Sequence, residues 1–310
     1  MSPPPEAGHP EDKRRRQGPQ QRSTPRSELQ RNPRFAEVSP EVGELDEEAF
    51  DALLGDDPDE ALAMLADMGR ATDERLRALA RRLAARIALD RTRSVVPRAR
   101  GVTRLRTVPA EQGGDLDLDA SMDAVVASRA AGVAPDLDDL RSRQWGRPEL
   151  AVCLLVDRSG SMGGARLAAA ALTAAACAWR APGDHAVLAF AREVEVLRPM
   201  VSESPGGAVV DAVLGLRGHG VTALATALGA AATQLAMSRA QRRVVVLLSD
   251  CRATDEVDPL PVAATLPELV VLAPADDADA AEALARATGA RWAAMTGPSD
   301  APARLAELLA

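Results

Sequence analysis

Aromatic residues, lysine and cysteine are scarce in this sequence. Aromatics make up 2% of the 310 residues, and tyrosine is absent. A hydrophobic core must therefore be built from alanine, valine and leucine, and the 46% of hydrophobic residues is enough for a sizeable one. Lys13 is the single lysine, so arginine carries nearly all the positive charge. Because alanine is also abundant, we attribute this bias to genomic base composition rather than to function.

The cysteines and the lack of long apolar runs indicate a cytoplasmic protein. Cys153, Cys177 and Cys251 are odd in number, widely spaced and free of any Cys-x-x-Cys motif, which predicts reduced thiols. Cys153 and Cys177 fall in apolar runs and are expected in the core. No run approaches the roughly 18 apolar residues of a membrane span, and the N-terminus lacks an apolar signal core. We therefore expect a cytoplasmic location without membrane insertion.

Several classes of function are disfavoured by what the chain lacks. The net charge of −8 argues against a general nucleic-acid binder, because phosphate contacts need a basic face. The sequence has no Gly-x-x-x-x-Gly-Lys-[Ser/Thr] loop, so any ATP hydrolysis must come from a partner. It also has no Gly-x-Ser-x-Gly elbow. His185 and His219 are expected at a strand edge and in a turn rather than acting as bases, so we predict that the protein is not an enzyme.

The first half of the chain divides into two predicted regions. Residues 1–40 are expected to form a disordered tail rich in proline and arginine, because they cannot bury enough apolar surface to offset their ordering entropy. Residues 41–147 are expected to form a helical region with a short strand and a polar linker. The helix predicted over residues 73–89 has an arginine-rich polar face that is either a solvated surface or a docking site for an acidic partner. The arginines of this face are Arg75, Arg77, Arg81, Arg82 and Arg86.

Three alternating aspartates open a further predicted helix that runs to about residue 131. We expect Asp115 to cap this helix and the following acidic residues to favour the positive end of its dipole. Asp115, Asp117 and Asp119 could also be metal ligands, but helical spacing spreads them around the axis. Capping and surface charge are therefore the preferred interpretation.

Apolar strands alternate with helical stretches over residues 148–310. The strongest strand, residues 150–157, is apolar without alternation, as a parallel strand covered on both faces should be. This alternation predicts an α/β domain with a doubly wound, mostly parallel six-stranded sheet and helices on both faces. The other five predicted strands are residues 185–190, 193–197 at an edge, 243–250, 268–273 and 290–294.

Oxygen-bearing side chains gather at the ends of the predicted strands. Asp157, Ser159 and Ser161 follow the first strand, Thr222 begins a predicted helix, and Asp250 ends a later strand. In open α/β sheets the carboxyl ends of neighbouring strands form the ligand crevice. Carboxylate and hydroxyl oxygens suit Mg²⁺ or Mn²⁺, and the lack of His and Cys argues against Zn²⁺. With two carboxylates, such a site would accept an acidic side chain from another molecule.

The motif Asp157-x-Ser159-x-Ser161, together with Thr222 and Asp250, resembles the metal-ion-dependent adhesion site of von Willebrand factor A domains. The resemblance covers residues 148–310. It implies that the two serines and the threonine bind metal directly, that one or both aspartates act through water, and that a partner's acid completes the shell. The loop before Thr222 is longer than in many relatives, which makes Thr226 the alternative ligand. Cys251 stands where a glycine often follows the aspartate.

A narrower resemblance lies upstream. Residues 114–120, with Arg129, Pro135 and Asp136, are similar to bacterial proteins of the NorD/CbbO kind and to the CoxE-like group. These proteins accompany MoxR-type AAA+ ATPases that mature or reactivate other complexes. The resemblance implies a chaperone-like adaptor between such an ATPase and a client that presents an acidic side chain to the metal. A subunit resembling the D component of metal chelatases, or a surface adhesion protein, are the alternatives.

Overall fold

The computed structural model describes residues 23–96, 104–110, 115–146, 150–160, 163–202, 206–218 and 220–310. Its first part is helical, and aspartates cap the three longer helices. Asp46, Asp57 and Asp73 each accept hydrogen bonds from backbone amides of the first turn, which satisfies donors that lack an intrahelical partner. The five helices are α1 (Arg26–Leu29), α2 (Phe35–Val38), α3 (Glu47–Asp56), α4 (Pro58–Met68) and α5 (Glu74–Val95).

The prediction of a disordered tail over residues 1–40 is wrong for residues 23–40. Leu29, Phe35 and Val38 are buried in the same core as α3–α5. The side chain of Asn32 donates to Glu60 on α4 over 3.0 Å. Three apolar side chains among polar neighbours give no periodic signal from which order could be predicted. They become buried because they pack against the surface formed by the other helices. Residues 1–22 lie outside the described residues.

A small antiparallel sheet follows the helices. It is formed by β1 (Arg104–Pro109), β2 (Asp115–Leu116) and β3 (Arg141–Gly146), in the order β1-β3-β2. The prediction of a linker up to residue 147 is therefore wrong for β3, which is the middle strand. Its composition is polar and its partners are distant in sequence, so no local pattern marks it as a strand.

Asp117, rather than Asp115, caps the helix α6 (Leu118–Ala130). One carboxylate oxygen of Asp117 accepts from the amide of Ala120 over 3.1 Å. The other accepts from Arg143 over 2.8 Å and from Thr107 over 3.1 Å. The guanidinium of Arg143 and these hydrogen bonds lower the pKa of Asp117. The carboxylate of Asp117 is thus fully used by capping and pairing, whereas Asp115, the residue predicted to cap the helix, lies in β2.

The predicted six-stranded sheet is confirmed. Its order is β6-β5-β4-β7-β8-β9, with the edge strand β6 antiparallel and the rest parallel. β4 lies between β5 and β7, and every residue from Ala151 to Val156 is buried. The strands are β4 (Leu150–Asp157), β5 (His185–Phe190), β6 (Val194–Arg198), β7 (Arg242–Leu248), β8 (Leu269–Pro274) and β9 (Arg291–Met295).

Helices cover both faces of this sheet. Val152, Leu154 and Val156 of β4 belong to the apolar cluster that includes residues of α7, α8 and α12, whereas Ala151, Cys153 and Leu155 belong to the one that includes residues of α9, α10 and α11. In the described part of the chain, no helix is long and apolar enough to cross a membrane. The helices are α7 (Gly164–Arg180), α8 (Gly206–Leu214), α9 (Leu224–Ala236), α10 (Leu260–Ala263), α11 (Asp279–Thr288) and α12 (Ala301–Leu308).

The N-terminal helices and the large sheet share one core. α4 and α5 pack on α7, and a continuous apolar cluster runs from Leu29 to Leu309. α4 and α7 approach so closely that a Cβ atom on Gly164 would lie 2.3 Å from the backbone oxygen of Ala63. The predicted domain boundary near residue 147 stays a prediction, but α4 and α5, which lie before it, cover the outer face of α7.

We predict that Gly164→Ala lowers the free energy of unfolding by about 1–3 kcal/mol, because the added methyl must push α4 away from α7. Gly163→Ala is the matched control, since a Cβ there meets nothing within 4 Å. Urea unfolding of both variants measures the difference. Equal stability of the two would show that the helices do not approach as described.

His185 begins β5 at the end of the sheet opposite Asp157, so it is not a base for the predicted site. It is 2% exposed, and its Nδ1 lies 2.9 Å from the backbone oxygen of Ala181. Burial, with the charge of Arg198 added, lowers the pKa of His185 to about 4. The pKa of the unfolded histidine is near 6.5, so His185 costs no free energy of unfolding above about pH 6.5. As the pH falls from 6.5 toward 4, the unfolded chain takes up a proton that the folded chain does not, and the free energy of unfolding decreases.

We predict that the free energy of unfolding of the native chain falls by about 2 kcal/mol more between pH 7 and pH 5 than that of His185→Gln. Over that interval the unfolded histidine gains a proton, while the folded one stays neutral. Glutamine can still donate to the carbonyl of Ala181. Urea titrations at both pH values give the difference, and parallel pH profiles for the two proteins would contradict the prediction.

Candidate metal centre

The turn after β4 brings Asp157 and Ser159 together. Oδ1 of Asp157 accepts from the amide of Ser159 over 2.8 Å and from its hydroxyl over 2.6 Å. The amide of Arg158, which lies between these two residues, donates to the backbone oxygen of Phe190 over 2.8 Å and holds the turn against β5. The buried strand therefore delivers a carboxylate and a hydroxyl to the carboxyl edge of the sheet, where such folds bind ligands.

Thr222 reaches this turn from the loop before α9. Its hydroxyl donates to Oγ of Ser159 over 2.6 Å. Its amide donates to the hydroxyl of Thr254 over 2.8 Å, and its carbonyl accepts from the amide of Thr254 over 3.2 Å. α9 begins at Leu224, two residues later than expected, which leaves Thr222 free to face the turn. The alternative residue, Thr226, is exposed on α9.

The end of β7 supplies Ser249 and Asp250. Oγ of Ser249 donates to Oδ2 of Asp157 over 2.5 Å and accepts from the amide of Cys251 over 2.8 Å. Asp250 lines a pocket of about 50 Å³ together with Asp157 and Ser159. Ser249 is not among the five residues that the sequence predicts as ligands. The signal that could have identified it is a hydroxyl side chain directly before Asp250, at the carboxyl end of the predicted strand 243–250.

Four of the five predicted ligands are within the described residues. Hydrogen bonds join Thr222 to Ser159 and Ser159 to Asp157, and Asp250 lines the same pocket as Ser159 and Asp157. Ser161 lies outside the described residues. No structural observation identifies any of the five as a metal ligand, so that assignment stays a prediction.

The electrostatics of Asp157 favour a nearby cation. Burial raises the pKa of Asp157, and the charge of Asp250 raises it further, while hydrogen bonds from Ser159 and Ser249 lower it. A buried negative charge is costly unless it is paired. Among the described residues, no three His, Cys, Asp or Glu side chains cluster. The side chains gathered here carry hydroxyls and two carboxylates, a set that would fit a hard divalent cation better than zinc.

Cys251 follows Asp250 in an unusual backbone conformation. Its φ of 63° lies in the left-handed region, which costs a residue with a Cβ atom about 1–2 kcal/mol. Its thiol is buried, and burial raises its pKa to about 12. A thiol that stays protonated and inaccessible is a poor nucleophile, so Cys251 has a structural environment rather than a reactive one.

Comparisons with known proteins agree with this architecture. The family described as "VWA domain containing CoxE-like protein" matches residues 68–308. This match confirms the resemblance inferred from the sequence. No curated protein sequence matches the chain significantly.

Solved structures of low sequence identity are also similar. A von Willebrand factor type A protein from Catenulispora acidiphila is 16% identical, with a TM-score of 0.42 over 54% of this chain and 43% of that protein. The manganese-loaded TRAP protein of Plasmodium vivax is 16% identical, with a TM-score of 0.40 over 48% of this chain and 68% of that one. The chain thus spans less than half the length of the Catenulispora protein.

We predict that Cys251→Gly is more stable than Cys251→Ala by about 1 kcal/mol. Both variants remove the buried thiol, but only glycine adopts a φ of 63° without strain. Thermal unfolding in the presence of a chelator compares the two without any contribution from metal. An alanine variant at least as stable as the glycine variant would show that this backbone is not strained.

Proposed function

Because the chain belongs to the family of CoxE-like proteins with a von Willebrand factor A (VWA) domain, we propose that it is a metal-dependent protein-binding module. Domains of this type commonly serve as interaction modules rather than as catalysts. The observation that carries the proposal is the chain of hydrogen bonds from Thr222 through Ser159 to Asp157, with Asp250 beside it. This arrangement supports a site at which oxygen-bearing side chains from three separate segments of the chain come close to one another.

In this proposal, Asp157, Ser159, Ser161, Thr222 and Asp250 hold Mg²⁺ or Mn²⁺. A bound cation supplies positive charge that attracts a carboxylate. Ser249 and the amide of Ser159 orient Asp157 through hydrogen bonds to its two oxygens. Thr254 holds Thr222 in place from the other side. With two carboxylates from this chain, the site retains room for the acidic side chain of a client.

The proposed partner is a MoxR-type AAA+ ATPase. Membership of the CoxE-like group supports this partner, and the chain has no phosphate-binding loop of its own to hydrolyse ATP. The adaptor would hold the client while the ATPase drives maturation, assembly or reactivation of the client's complex. We propose that this takes place in the cytoplasm, where the three unpaired cysteines are stable.

We predict that the chain binds Mg²⁺ or Mn²⁺ in a titration calorimeter and that Asp157→Asn abolishes the signal. Thr222→Val should weaken binding at least ten-fold, because it removes one hydroxyl donor. Thr226→Val is the matched control, since Thr226 is exposed on α9 and should leave the affinity unchanged. Unchanged affinity in Asp157→Asn, with circular dichroism showing an intact fold, would refute the metal site.

The same variants test the partner. Affinity capture from native extract with Mg²⁺ should enrich an AAA+ ATPase of MoxR type, identified by mass spectrometry. A chelator or Asp157→Asn should remove the client from the captured complex. Capture of the same client with equal yield in both conditions would contradict a metal-dependent grip.

A further inference from the structure

A groove of about 630 Å³ runs between α5 and α8. Three arginines of α5, namely Arg77, Arg81 and Arg82, lie along it. The opposite wall is α8, which contributes Asp211 and small residues. We call this feature the arginine groove. It shares no lining residue with the pocket beside Asp157.

Two more arginines adjoin the arginine groove. Arg70 follows α4, and Arg217 follows α8. Burial lowers the pKa of Arg217, and the positive charges of Arg70, Arg81 and Arg77 lower it further. Guanidinium groups from three separate segments are therefore close enough to repel one another, in a chain whose net charge is −8.

Backbone contacts hold two of these arginines, Arg77 and Arg81, in position. Nε of Arg81 donates to the carbonyl of Gly69 over 2.8 Å, and Arg77 donates to the carbonyl of Ala71 over 3.0 Å. Arg77 also lies 3.3 Å from Glu74. Among the residues that line the groove there are three arginines and two carboxylates, those of Glu74 and Asp211, so positive charge is in excess in the lining. A positive excess with two of its side chains held in place favours a negatively charged ligand.

We propose that the arginine groove binds an acidic peptide segment of a partner protein. Its volume exceeds what a single phosphate needs, and the small side chains of Ala78, Gly207 and Ala208 let an extended backbone approach closely. Glu74 and Asp211 in the lining disfavour the dense charge of nucleic acid, as does the acidic chain as a whole. This site is independent of the metal centre.

The test measures anisotropy of a fluorescein-labelled (Glu-Gly)₄ peptide with the full chain in EDTA and low salt. The neutral (Gln-Gly)₄ peptide is the comparison. We expect the acidic peptide to bind more tightly than the neutral one, and its affinity to fall as salt is added, because exposed charges are screened. EDTA removes any contribution from the metal centre, so failure here does not bear on the proposed metal site.

Two variants separate the groove from general charge. Arg77→Gln with Arg82→Gln should weaken the acidic peptide about five- to ten-fold. The control, Arg75→Gln with Arg286→Gln, removes the same charge from exposed helical positions outside the groove and should change the affinity less than two-fold. Asp211→Asn should tighten binding at least two-fold, because it removes a repelling carboxylate from the groove.

A stronger effect of the control pair than of the groove pair would overturn the proposal, as would equal binding of the acidic and neutral peptides. Displacement of the peptide by an eight-residue oligothymidylate at lower concentration than by unlabelled (Glu-Gly)₄ would assign the groove to nucleic acid and also overturn it. A misfolded variant would lose affinity for the peptide, so tighter binding by Asp211→Asn could not be explained by misfolding.

Discussion

The burial of one carboxylate organises the edge of the sheet. Asp157 ends the central strand, and its negative charge is unfavourable there without partners. Each of its oxygens is therefore served by a hydroxyl, one from the following turn and one from the end of β7. The hydroxyl of Ser249 also accepts a hydrogen bond from the amide of Cys251, the residue with a positive φ that follows Asp250. The position of the surrounding loops follows from satisfying this one group.

The parts of the fold that the sequence could predict are those with a strong local pattern. β4 is apolar from Leu150 to Val156 because helices cover the sheet on both sides, and Asp57 with Pro58 begins α4 as capping chemistry expects. β3 could not be predicted, because its polar residues become a strand through pairing with distant partners. Residues 23–40 are structured because Phe35 and Val38 pack into the core formed with the other helices. Such information is tertiary and has no local signature.

The candidate site divides in the same way. Asp157 and Ser159 could be predicted because Asp157 ends a recognisable strand and Ser159 comes two residues later. The position of the Thr222 side chain could not be predicted without knowing where α9 begins. A helix that started at Thr222 would have given this side chain a different direction. The contribution of Ser249 depends on the pairing of β4 with β7 and on a hydrogen bond across it. A pattern of residue types predicts which chemistry is present, whereas strand order decides which atoms meet.

The close contact between Ala63 and Gly164 has a consequence for how this protein can be recombined. α7 starts a few residues after the Asp157 turn, and its first residue tolerates no side chain against α4. A graft of the sheet region alone onto a foreign N-terminal segment would leave the α7 face uncovered, and a relative with alanine at this position would need a displaced α4. The two halves are therefore expected to be inherited together, as a single exchangeable unit.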